Sequence, residues 1–171
     1  MKTTLTGTAA LLYIVMSITT AADALASDHT AASEVDATLS KLIADYESKD
    51  VKAIMAHYVH DDALVVFDVT PPLQFVGYDA YTKSYQDFYA AFPGQVTVDV
   101  IERKISVVGE LAYTHEMNTW TVHDQANKPT MFTARETYVL QKTEGTWLIV
   151  HEHASVPVDV TTGRAELRLT P

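Results

Sequence analysis

Two histidines near the end of the chain and one arginine before them are the first candidates for chemistry. His151 and His153 are two residues apart in a β-branched segment, so on a regular strand they share one face with Trp147. His115 and Arg135 lie in two earlier segments of the same kind. An imidazole titrates near neutral pH and works as a general acid or base, while a guanidinium can hold an anionic or carbonyl oxygen. If these side chains converge they form an acid–base site; the alternative is that they are hydrogen-bonded structural residues.

The spacing His151-x-His153 is also one with which strands present two imidazoles to zinc, and His115 could be a third ligand. The chain has no cysteine, so a metal would have to be held by histidine and carboxylate alone, and disulfides are excluded. Pairs of histidines on strands are common without a metal, and Glu152 points to the other face of a regular strand. We therefore expect no metal and no cofactor.

These residues must be positioned by a run of long strands that follows three helices. Helical periodicity begins near Ser33, Asp50 can cap a second short helix, and aromatic residues mark a third helix over 79–91. β-Branched segments predict strands at 63–69, 96–108, 111–124, 130–142 and 146–156. The short gaps between the last four suit antiparallel hairpins. The pattern predicts an α+β fold, with the helices on one face of a curved antiparallel sheet and the Trp147 face turned inward.

Composition limits the possible partners of this domain. The chain has 171 residues, 47% apolar and 20% charged, which is typical of one soluble domain. Its formal charge is −10, from 12 basic and 22 acidic residues. Non-specific binding to nucleic acid or to anionic lipid is therefore disfavoured.

The first 26 residues resemble a secretory signal peptide. Lys2 precedes an apolar stretch over 9–18, and the small-residue motif Ala24-Leu25-Ala26 follows. The stretch is about half of the ~20 apolar residues that a membrane-spanning helix needs. We expect cleavage after Ala26 and export to the periplasm or the exterior, with 27–171 forming a single domain and no stable membrane insertion.

The order of elements, together with the phrases at 61–68, 71–77 and 147–157, resembles the SnoaL-like branch of the nuclear-transport-factor-2-like superfamily over about residues 33–160. The resemblance implies a cystatin-like cone, in which a strongly bent sheet wraps against three helices and a pocket opens at the wide end. Relatives include ketosteroid isomerases, polyketide cyclases, dehydratases, epoxide hydrolases, iota-class carbonic anhydrases and members that only bind or dimerise. The fold alone therefore does not select a reaction.

The same resemblance singles out Asp68, because ketosteroid isomerases carry their general base at the end of this strand. Here one extra residue separates Asp62 from Asp68, Leu42 stands where the isomerase oxyanion donor would fall, and Tyr46 lies one helical turn later. The candidate catalytic residues are Asp68, His115, Arg135 and His153. The candidate ligand-binding residues are Tyr46, Tyr58, Trp147 and His151.

We expect an exported, cofactor-free domain that binds a small, largely apolar organic molecule and performs isomerase, cyclase or lyase chemistry. Asp68 would be the base, His115 and His153 would carry or orient protons, and Arg135 would anchor an oxygen. One alternative is an iota-type carbonic-anhydrase-like hydratase in which the histidine pair and Arg135 hold bicarbonate. Another is a non-enzymatic dimerising module that binds a ligand or partner. A homodimer through the strands from Gln95 onward is expected, since three helices cannot cover both faces of such a sheet.

Overall fold

The computed structural model describes the backbone of residues 8–170 and the side chains of residues 28–170. Its helices and strands, in chain order, are α1 (Thr8–Ser48), α2 (Val51–Met55), β1 (Val65–Phe67), β2 (Phe75–Val76), α3 (Tyr78–Ala91), β3 (Val96–Val108), β4 (Leu111–His123), β5 (Pro129–Thr143), β6 (Thr146–Ser155), β7 (Val158–Asp159) and β8 (Arg164–Ala165). The expected signal peptide, residues 1–26, lies outside the residues whose side chains are described, so its cleavage stays a prediction.

Six strands form one sheet in the order β2-β1-β6-β5-β4-β3. Neighbours are antiparallel except β1 and β6, which are parallel. The predicted antiparallel hairpins β3–β4, β4–β5 and β5–β6 are confirmed. The α+β class is confirmed as well, since helices pack against a large curved sheet. Strands β7 and β8 form a separate hairpin, after which the carbonyl of Leu167 accepts a bond from the Thr133 N–H at 2.8 Å.

Helix α1 packs on the sheet through a stripe at helical spacing: Val35, Leu39, Leu42 and Tyr46 are all buried. The helix does not begin at Ser33, as the sequence suggested. The Ser33 hydroxyl instead donates to the carbonyl oxygen of His29, one turn earlier in the same helix, as mid-helix serines commonly do. Within the described residues, no helix combines the length and apolarity that a membrane span requires.

The other two helices set the positions of the residues near the cavity. The predicted cap of α2 is confirmed, because Asp50 Oδ1 accepts a hydrogen bond from the Ala53 N–H at 3.0 Å. Helix α3 starts after Gly77, whose φ of 88° lies in the left-handed region that glycine tolerates best. It turns Tyr81 and Tyr85 into the core.

A β-bulge in β6 decides which of its side chains face the helices. Val139 on β5 pairs with His151, whereas the next residue on β5 pairs with Ile149, so Val150 is an extra residue. Trp147 and Ile149 point inward before the bulge; after it, Glu152 points inward and the histidines point outward. The prediction that the two histidines share the inner face with Trp147 is therefore wrong, because the bulge reverses the alternation.

Candidate functional site

A cavity of about 60 Å³, partly open to solvent, lies between α3, the segment after β1 and the inner face of the sheet. Three acidic residues line it: Asp68, Glu136 and Glu152. The remaining walls are mostly aromatic: Tyr81, Tyr85, Phe88, Trp120 and Phe132. Among the described residues that line this cavity, none is basic. We call it the acidic pocket.

Glu152 is a buried acidic group of the pocket, with only 4% of its surface exposed. Its Oε2 accepts hydrogen bonds from the hydroxyls of Tyr58 at 2.6 Å and Tyr81 at 3.0 Å. No described residue donates to Oε1. Burial raises the pKa of Glu152 to about 8, helped by the charges of Glu136 and Asp68 and opposed by the two tyrosine bonds. At neutral pH this carboxyl is mostly protonated, so it can donate a hydrogen bond or a proton.

Four tyrosines form the polar floor behind Glu152. The hydroxyls of Tyr46 and Tyr58 are 3.0 Å apart, those of Tyr85 and Tyr46 are 3.1 Å apart, and those of Tyr81 and Tyr85 are 3.0 Å apart. Burial raises the pKa of every one of them, so their hydroxyls stay neutral. Together with Glu152 they close a ring of polar groups that fixes the carboxyl in the pocket wall.

Asp68 stands at the mouth of the pocket, just after β1. Its Oδ1 accepts bonds from the Thr70 N–H at 3.0 Å and from the Thr70 hydroxyl at 3.3 Å. Burial raises its pKa, and the bonds from Thr70 and Val69 oppose that rise. Asp68 also borders a second, more open hollow of about 550 Å³, which His153 lines as well. This half-buried carboxylate meets the requirement for a general base: it is held by its neighbours and reachable from the cavity.

Glu136 is fully engaged with donors. Oε1 accepts from the indole N–H of Trp120 at 2.7 Å, and Oε2 accepts from Asn118 Nδ2 and from the Tyr138 hydroxyl, both at 2.8 Å. Burial raises the pKa of Glu136, while these three bonds favour the charged form. The same Asn118 amide also donates to Glu116 at 3.2 Å.

Of the four candidate catalytic residues, the structure brings only Asp68 and His153 to one hollow, the more open of the two. Asp68 lines the acidic pocket, but His115, Arg135 and His153 are exposed on the outer face of the sheet. His115 on β4 and His153 on β6 lie on either side of Thr137 on β5, because each of them pairs with that threonine. The prediction of one pocket containing all four residues is wrong. On β4 and β5 the even-numbered residues point inward, and on β6 the bulge turns His153 out.

The candidate ligand-binding residues are also divided. Tyr46 and Tyr58 belong to the tyrosine ring behind the cavity. Trp147 does not line the cavity, and its indole N–H donates to Glu34 Oε2 of α1 at 3.0 Å. His151 lies on the outer side of the bulge, its Nδ1 2.7 Å from the carbonyl oxygen of Val65. Among the described residues, no group of three or more histidine, aspartate or glutamate side chains is arranged to hold a metal ion.

Sequence reasoning missed Glu136 and Glu152 as pocket residues. Glu136 could have been found, because it alternates with Arg135 on a regular strand, and turning the arginine outward turns the glutamate inward. Glu152 was assigned to the face opposite Trp147, and only the bulge brings the two to the same side. Tyr81 and Tyr85 belong to the aromatic residues that marked the third helix, and both line the cavity.

A bent sheet closed by helices over a polar pocket is an architecture suited to binding a small molecule. The profile of the SnoaL-like domain family matches residues 35–159. The chain therefore belongs to the SnoaL-like family, within the nuclear-transport-factor-2-like superfamily, as the sequence resemblance indicated. No curated protein sequence matches the chain significantly.

Solved structures support the fold. A nuclear-transport-factor-2-like protein from Pseudomonas putida KT2440 is 27% identical, with a TM-score of 0.75 over 84% of this chain and 98% of its own. A superfamily protein from Salmonella enterica gives a TM-score of 0.71 at 18% identity, covering 80% of this chain and 98% of its own. A ketosteroid isomerase-like protein from Erwinia carotovora gives 0.62 at 18% identity, covering 72% and 94%. At such identities the last two show a common fold alone.

Proposed function

We propose that this protein binds a small organic molecule in the acidic pocket and exchanges protons with it, as a cofactor-free isomerase or lyase. The observation that carries the proposal is Glu152: a buried carboxyl, protonated at neutral pH, whose Oε1 has no partner among the described residues and whose side chain lines the cavity. Asp68 supplies a second carboxyl at the mouth of the same cavity. Two carboxyl groups in different environments are what paired acid and base roles require.

In the proposed reaction, Asp68 takes a proton from a carbon next to a carbonyl group. The C–H electron pair becomes a new C=C bond, and the carbonyl π pair moves to the oxygen. That oxygen receives the proton of Glu152. The products are an enol, a protonated Asp68 and an ionised Glu152. When a second C=C bond is conjugated with the enol, Asp68 returns its proton to the far end of that bond while the enol O–H proton goes back to Glu152, which completes an isomerisation. When the next carbon carries a hydroxyl group, that group takes the proton of Asp68 and leaves as water while the enol O–H proton goes back to Glu152, which completes an elimination.

This assignment keeps Asp68 as the base and replaces the other expected roles. Glu152 takes the place of His115 and His153 as proton carrier and of Arg135 as the group that bonds the substrate oxygen. The two tyrosines that donate to Glu152 hold its carboxyl in place. The bicarbonate alternative required the histidine pair and Arg135 in one pocket, and no observation at the acidic pocket favours it. Binding without catalysis remains the competing outcome of the experiment below.

The test uses 2-indanone, a small apolar ketone with acidic C–H bonds, incubated with the protein in D₂O. We expect deuterium to enter at the carbon next to the carbonyl faster than in buffer, measured by ¹H NMR. Asp68→Asn and Glu152→Gln should each slow the protein-catalysed exchange by about 10²-fold or more, the range of a lost general acid or base. Asp79→Asn, an exposed carboxylate on α3 outside the cavity, is the matched control and should leave exchange unchanged.

Exchange that is as fast with the Asp68 and Glu152 variants as with the parent protein would overturn the proton-transfer assignment. Binding of 2-indanone in the pocket without any exchange would favour the non-enzymatic binding module instead.

A further inference from the structure

We propose that the natural ligand of the acidic pocket carries a protonated amine next to its apolar body. This inference rests on the proposed function only in placing the ligand in that pocket. It adds the charge of the ligand, which the proton-transfer argument leaves open.

The first support is the charge of the lining. Asp68 and Glu136 contribute carboxylates, Glu152 is mostly protonated at neutral pH, and none of the described lining residues is basic. The buried guanidinium of Arg103 is already paired, with Glu116 at 2.8 Å and Asp36 at 2.9 Å. An anionic ligand would add like charge to a poorly solvated site, whereas a cation would compensate it.

The second support is the unpartnered oxygen of Glu152. The side chain is more than nine-tenths buried and lines the cavity, yet both of its hydrogen bonds go to Oε2. Since Glu152 lines the cavity and no described residue donates to Oε1, that oxygen is available for a hydrogen bond with a polar group of a ligand. The cavity therefore offers a hydrogen-bonding atom to a ligand in addition to its apolar walls.

The third support is the aromatic wall beside Glu136. The rings of Trp120 and Phe132 are parallel within 2°, with centroids 6.2 Å apart, and both line the pocket. The Trp120 indole also donates to Glu136. An ammonium group at this position would meet a carboxylate and the faces of aromatic rings, a combination that stabilises cations.

The placement is compatible with proton exchange at Glu152. Glu136 pairs across the sheet with Ala154, and Glu152 pairs with Tyr138, so the two carboxyls occupy neighbouring positions on adjacent strands. An ammonium at Glu136 leaves Glu152 and Asp68 available to the reacting part of the same molecule.

Three compounds of similar size test the charge preference: benzylammonium, benzyl alcohol and benzoate. Their dissociation constants for the purified protein are measured by isothermal titration calorimetry at neutral pH. We expect benzylammonium to bind at least about tenfold more tightly than benzyl alcohol, with benzoate the weakest. Equal or tighter binding of the alcohol or of benzoate would overturn the inference, and so would absence of benzylammonium binding.

A pair of variants separates pocket binding from attraction to a protein of charge −10. Ser84→Arg places a cation in the lining, and Gln86→Arg places the same charge on the exposed side of α3. The first should weaken benzylammonium binding about tenfold or more and the second should leave it nearly unchanged. Equal effects would overturn the inference. Tighter binding of benzyl alcohol would overturn the inference that the ligand carries an amine. It would not affect the proposed function, because deuterium exchange of 2-indanone tests that function separately.

Discussion

At the scale of single residues, the protein is distinguished by a carboxyl group that folding keeps neutral. Desolvation disfavours the charge of Glu152, and the hydroxyls of Tyr58 and Tyr81 only partly offset that cost. The result is an acid available at neutral pH in a cavity, which an exposed glutamate would not provide.

The raised pKa of Glu152 predicts a specific dependence of stability on pH. The folded-state pKa is about 8 and the ordinary value is 4.5, so the folded chain holds this proton over a range in which the unfolded chain releases it. The contribution is fully present below pH 4.5 and is lost as pH rises towards about 8, at up to about 1.4 kcal/mol per pH unit. Glu152→Gln keeps a neutral polar side chain and should remove this dependence.

The measurement is urea denaturation of the parent protein and of Glu152→Gln at a series of pH values. The free energy of unfolding of the variant, relative to the parent, should increase between about pH 5 and about pH 8. Glu110→Gln, an exposed glutamate, should show no such trend. Parallel profiles for the parent and Glu152→Gln would contradict a raised pKa.

The family resemblance pointed to Asp68 as a site residue, and its position at a strand end was predictable from the sequence; the orientation of Glu152 was not, for a physical reason. Asp68 follows a β-branched run and precedes two prolines, a local pattern that ends a strand wherever it occurs. The inward orientation of Glu152 depends on one unpaired residue, Val150, at the end of the continuous apolar run over 147–150. A bulge in such a segment leaves no sign in single-sequence periodicity.

At the scale of elements, the long strands were predicted almost to the residue. Strand β3 spans Val96–Val108 as expected, because β-branched residues fill it and Gly109-Glu110 closes the hairpin. The two-residue strands β2, β7 and β8 escaped prediction, since they are too short to show a period. Secondary structure was therefore readable locally, whereas the face presented by β6 was set by its pairing with β5.

The guanidinium of Arg103 joins β3, β4 and α1 through a buried ion pair. Its side chain is 10% exposed and that of Glu116 only 1%. Arg103→Met would leave the glutamate uncompensated, so we expect it to lower the free energy of unfolding by about 3–5 kcal/mol. Replacing both partners, in Arg103→Met/Glu116→Met, should recover much of that loss.

Chemical denaturation of the two variants measures this effect. Arg135→Met is the matched control: its arginine is exposed on the outer face, and the substitution should change stability by less than about 0.5 kcal/mol. Similar losses for Arg103→Met and Arg135→Met would show that the Arg103 pair does not stabilise the fold.

At the scale of the whole molecule, the helices cover only one face of the sheet. The other face leaves large side chains accessible, among them Tyr113 at 45% and Phe67 at 38%. We predict a homodimer through this face, because apolar groups on an uncovered sheet gain from burial against a second copy. Sedimentation equilibrium at micromolar concentration should give twice the chain mass, and Tyr113→Arg should shift it towards the monomer. A monomer at that concentration would contradict the prediction.

The other prediction at this scale concerns the amino terminus. Cleavage after Ala26 should give an exported protein that begins at Ser27, as the motif Ala24-Leu25-Ala26 indicates. Intact-mass measurement of protein from the periplasm or medium decides this. Recovery of chains that retain residues 1–26 in the membrane fraction would contradict it.

The central claim is that Glu152 faces the pocket as a protonated carboxyl at neutral pH. The most direct measurement is an NMR titration of ¹³C-labelled glutamate side-chain carboxyls. The account predicts one glutamate that titrates at about pH 8 and whose signal is absent from Glu152→Gln. It would be contradicted if that variant lost only a signal titrating near the ordinary glutamate pKa of 4.5.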